Sequence, residues 1–347
     1  MIDFRYHLVS IVAVFLALAI GIVLGATELQ GSVIDGLRSS SNALGSQLSA
    51  ARAQGDALKH QASASDTFLQ TAEPKLLNGM LAGGKIVLLT EPGAPSAVIN
   101  GIEKAAGDAG ATVTGTVALQ PKFNDLSGAT RSSLSAINTD LATTDGTGLA
   151  PGADQQTVYQ QEAAQLIATA ILNQADGEPG LTVPQAQGLL GAYAKSGYLT
   201  TSGTPWNRAT LAVIVAPQAV PADGPNDAAN QVLLAVAAQF AGESAATLVA
   251  GTAASSAASA SAIAVLRSSS VSGQVSSVDN ADSTLGQISA IWALAGQLAG
   301  GKPGSYGISG ASAVSPVPLP VPSETPTVPS TPTPKATGKV KKAVNTK

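Results

Sequence analysis

From Leu8 to Ala26 the chain reads LVSIVAVFLALAIGIVLGA, nineteen residues without a charge. As a helix rising ~1.5 Å per residue this segment spans ~28 Å, close to the ~30 Å hydrocarbon core of a bilayer. No other stretch of the 347 residues approaches it. The flank MIDFRYH balances Asp3 against Arg5, and Leu24 would occupy the −3 position of a cleavage site after Ala26, so the pattern fits an uncleaved anchor better than a signal peptide. Phe4 and Tyr6 suit the membrane interface. Arg5 and His7 place the short N-terminus on the cytoplasmic side, which puts the bulk of the chain in the envelope outside the cytoplasm.

Inside this span Ala13, Ala17, Gly21 and Gly25 recur every fourth residue, a spacing that lines small side chains along one helix face and lets a second helix approach closely. Residues 28–73 continue as a helix in a coiled-coil pattern. Ile34, Leu37, Leu44, Leu48, Ala51, Leu58, Ala62 and Leu69 keep a 3–4 spacing, with Ser41, Gly55 and Ser65 on the same seam. The ridge and the 34–69 seam together predict a homodimer or higher oligomer, although the seam could instead fold back onto the following domain. A four-residue ridge favours a right-handed crossing and a heptad seam a left-handed one, so Gly31 or Gly36 is expected to break the pair locally. Pro74 is expected just past the helix end.

From Gly84 the pattern alternates between β and α. Lys85–Thr90 and Thr210–Ala216 are short apolar runs typical of buried strands, with further strands expected at 111–119, 246–251 and 274–279. Helices are expected at 96–109, 157–175, 184–195, 227–241, 256–267 and 283–299, and an insertion or lid at 120–156. Strands separated by helices of this length call for a parallel-sheet α/β domain, Rossmann- or flavodoxin-like, over residues 84–311. After it, eight prolines between Pro316 and Pro334 mark 312–347 as a disordered tail. That tail has five lysines against Glu324, a charge of +4, so the remainder carries −8 of the total −4. An acidic body argues against a nucleic-acid partner.

Chemistry in such a sheet belongs at the carboxyl ends of its strands. The loop Glu91-Pro-Gly-Ala-Pro-Ser96 matches no nucleotide fingerprint, and two prolines remove amides that a phosphate would need. Asp223 and Asn226 read as turn and cap residues. Gly251-Thr252-Ala-Ala-Ser255 offers hydroxyls and amides to an anion. Asp279, Asn280, Asp282, Ser283 and Thr284 form the densest polar set, with Asp282 expected to cap the next helix rather than bind a hard cation. The only histidines are His7 and His60, both outside the α/β region, and G-x-S-x-G is absent, so no catalytic residue is assigned and an enzyme is not expected.

The N-terminal residues Met1-Ile-Asp-Phe-Arg-Tyr-His-Leu-Val-Ser10, continuing through Val12–Gly25, resemble the actinobacterial copper transporter family of the MctB type, as does Val278-Asp-Asn-Ala-Asp-Ser-Thr-Leu-Gly-Gln287. The resemblance covers about residues 1–310 and implies a membrane protein of copper homeostasis. Copper(I) takes Cys, Met and His ligands. With no cysteine, and only Met1, Met80, His7 and His60, this chain is expected to support copper export indirectly, with no metal or cofactor site of its own. The alternative is an envelope scaffold that dimerises through its helix and recruits a partner.

Overall fold

The computed structural model describes residues 4–145, 156–173, 180–219 and 223–309, which form two units, residues 1–72 and 73–347. The expected tail at 312–347 lies outside the described residues, as do parts of 120–156 and the end of 157–175.

Helix α1 (Phe4–Leu77) contains both the apolar segment and the heptad segment without interruption. Its stretch Phe4–Gly25 is long and apolar enough to cross a membrane, and none of it is buried within the chain. Leu37, Leu44, Leu48 and Leu58 on the seam are likewise exposed, and a side chain at Gly21 or Gly25 would meet no other atom within 4 Å. Pro74 lies inside the helix rather than beyond it, which corrects the expected stop. The reason is the turn that contains it. Leu77 is fully buried, and Glu73, 1% exposed, pairs with Lys104, which also binds Asp108 at 2.9 Å. Burying a leucine is worth roughly 1.5–3 kcal/mol, comparable to the roughly 3 kcal/mol cost of an interior proline.

The second unit is α/β with a seven-stranded sheet. Its strands are β1 (Lys85–Thr90), β2 (Thr112–Leu119), β3 (Leu199–Gly203), β4 (Leu211–Val215), β5 (Ala246–Ala250), β6 (Ser276–Val278) and β7 (Ser305–Tyr306), in the order β3-β2-β1-β4-β5-β6-β7. All neighbours are parallel except β2 and β3. The first six positions follow a doubly wound, Rossmann-like order, here with an antiparallel edge strand.

The period-two alternation of the strands sorts their side chains into two layers. Val87, Leu89, Ile214 and Val249 join one large apolar cluster with α3 (Gly128–Asp145), α4 (Val158–Ile171), α5 (Val183–Lys195) and α6 (Ala228–Glu243). Ile86 and Leu88, equally buried, fall outside that cluster, while α2 (Ser96–Asp108) and α8 (Thr284–Leu298) pack against each other and against β2 and β5 respectively. Both β1 and β4 are therefore sandwiched between layers, which is why they read as continuous apolar runs.

Four elements differ from expectation, one of them the two-residue strand β7, where no strand was expected. Residues 128–145 form α3, whose Leu134 and Leu141 are buried although serine and threonine crowd the rest of the segment. Residues 199–203 form β3, four of whose five residues are exposed at the sheet edge. The helix expected at 256–267 is instead a short 3₁₀ turn (Ala253–Ser256) followed by α7 (Ala262–Ser268).

Candidate functional site

The register places Thr90, Val215, Ala250 and Val278 in one row across β1, β4, β5 and β6. The residues that follow them, Glu91, Ala216, Gly251 and Asp279, therefore share the carboxyl edge of the sheet. Strand order reverses between β1 and β4, and a doubly wound sheet takes its ligands in the crevice at such a point.

Glu91 sits there. Its amide donates to Val215 O at 3.0 Å, and its side chain is carried into the interior, 3% exposed. The Nδ2 of Asn124, on the 3₁₀ turn Pro121–Asn124 that follows β2, donates to Oε2 at 3.3 Å, while Oε1 has no partner. Burial pushes the carboxyl pKa up to about 7, with the Asn124 hydrogen bond opposing the shift. A carboxyl so poised exchanges a proton near neutrality and offers one oxygen to a hydrogen-bond donor. Farther along the same edge, Thr252 Oγ1 and Asn280 Oδ1 are also buried without partners.

The other residues singled out from the sequence are engaged in the fold. Ser255 Oγ accepts from Thr252 N at 3.3 Å and donates to Pro217 O at 2.9 Å, so its hydroxyl braces the loops after β4 and β5. Asp279 is fully buried and ion-paired with Arg267 at 2.7 Å, and it accepts from the amides of Ile308 (2.7 Å) and Ser309 (3.2 Å). Arg267 in turn donates to Tyr306 O at 2.7 Å. The pair is a clasp that holds the last strand onto β6. Asp282 does not cap α8: it is exposed, and Ser283 caps instead, accepting from Gly286 N at 3.2 Å. Gly286 is required because a Cβ there would lie 1.9 Å from Asn280 O. Asp227, next to the expected Asn226, caps α6 by accepting from Ala229 N at 2.9 Å.

The loop Glu91–Ser96 enters α2 through Pro95, which gives no side-chain cap. His7 and His60 lie on the same helix, 53 residues and thus ~80 Å apart. Among the described residues no three His, Cys, Asp or Glu side chains gather in a way that would hold a metal ion.

Sequence reasoning missed the weight of Glu91, because a glutamate after a strand looks solvent-exposed. It also missed Asn124 and Arg267, for which no local motif exists.

Comparison with known proteins places the chain. Residues 1–318 match the family described as Copper transport outer membrane protein, MctB. Copper transporter MctB of Mycobacterium tuberculosis is 30% identical over 315 residues, covering 88% of this chain and 96% of the relative. Copper transporter MctB of Mycobacterium leprae is 30% identical over 319 residues, covering 89% and 96%. The match takes in the apolar helix, the heptad segment and the whole sheet, and the chain belongs to the MctB family.

Proposed function

We propose that this chain is a single-pass envelope protein that supports copper export or homeostasis without a metal site of its own and without enzymatic activity. The observation that carries the reading is the family match, which starts at residue 1 and runs through the anchor and the α/β unit to residue 318. The relatives are named copper transporters. Against direct coordination stands the ligand inventory: no cysteine, and histidines at positions 7 and 60 only. One apolar helix per chain encloses no pore, so a conduit requires several copies or a partner. The small-residue ridge Ala13, Ala17, Gly21, Gly25 and the 34–69 seam supply pairing surfaces for a homodimer or larger assembly. With Arg5 and His7 at the short end, the α/β unit lies outside the cytoplasm.

The second reading, an envelope scaffold, is favoured by the exposed leucines of the seam, which would serve equally to recruit another protein. Calorimetric titration of the full chain in detergent with Cu(I) and Cu(II) tests the indirect role. The expected result is no stoichiometric heat. One tight copper site per chain overturns it.

A further inference from the structure

We draw no further inference here: the strongest candidate, the groove of about 490 Å³ between Glu103 of α2 and the strands β2 and β3 at the sheet edge, carries nothing, because none of the described residues that line it holds a buried polar atom without a partner and nothing in the structure shows what covers it.

Discussion

Glu91 is the residue whose chemistry departs most from what its position in the sequence announces. Its ordinary carboxyl pKa of 4.5 is raised to about 7 because the charge would have to be carried into a buried site with one hydrogen bond. The native state therefore holds the proton more tightly than the unfolded chain. Between about pH 4.5 and 7 unfolding releases it, so the stabilisation is full below the lower value and lost as pH rises through the upper. Two and a half pKa units correspond to ~3 kcal/mol. Glu91→Gln removes this dependence, since the amide cannot ionise while its oxygen still accepts from Asn124. Chemical denaturation at pH 5 and pH 8 should show the parent losing stability across that range by up to ~3 kcal/mol and the variant losing markedly less. Parallel profiles would show that the carboxylate is solvated after all. Asp279, by contrast, was conspicuous in sequence, yet its charge is consumed by Arg267 and two backbone amides. Residue type and crowding drew attention to 279–284, but the partners that decide each role come from residues 267 and 306–309, which no local pattern couples to it.

At the scale of elements, legibility followed burial. β1 and β4 stood out because both of their faces are covered, which leaves no polar residue in the run 86–89 or 211–215. β3 was invisible because four of its five residues face solvent at an antiparallel edge, so neither hydrophobic run nor alternation survives. α3 hid behind its serines and threonines, although Leu134 and Leu141 lie two turns apart on its buried side. The boundary at Pro74 was misjudged because a proline stops a helix only when nothing beyond it repays continuation, and Leu77 does. Helix α1 has the opposite character: its pattern is clear, yet the seam leucines Leu37, Leu44, Leu48 and Leu58 are exposed. A helix whose leucines face water draws little stability from packing within its own chain. The heptad 34–69 is regular enough that two buried charges should abolish pairing. Leu44→Asp with Leu48→Asp is expected to convert a cross-linkable dimer of the full chain in detergent to monomer, by light scattering and by loss of a disulfide at Gly21→Cys. An unchanged mass would remove the seam from the account and leave the α/β unit to carry any assembly.

For the whole molecule, the order of the parts constrains function more than any single site does. An apolar helix, a heptad helix and a doubly wound α/β unit are all contained in the family match. Resemblance at the N-terminus and around 278–287 was enough to point to the family, and the parallel sheet followed from the alternation of apolar runs. The candidate site was not legible, because it depends on which loops the sheet order brings to one edge. The claim on which the account rests is that this protein acts in copper handling while leaving coordination to others. The most direct measurement is the copper content of cells deleted for the gene and grown in excess copper. The account predicts raised cellular copper and reduced growth, restored by the full chain and equally by His7→Ala with His60→Ala. Copper content and growth unchanged by the deletion would contradict it.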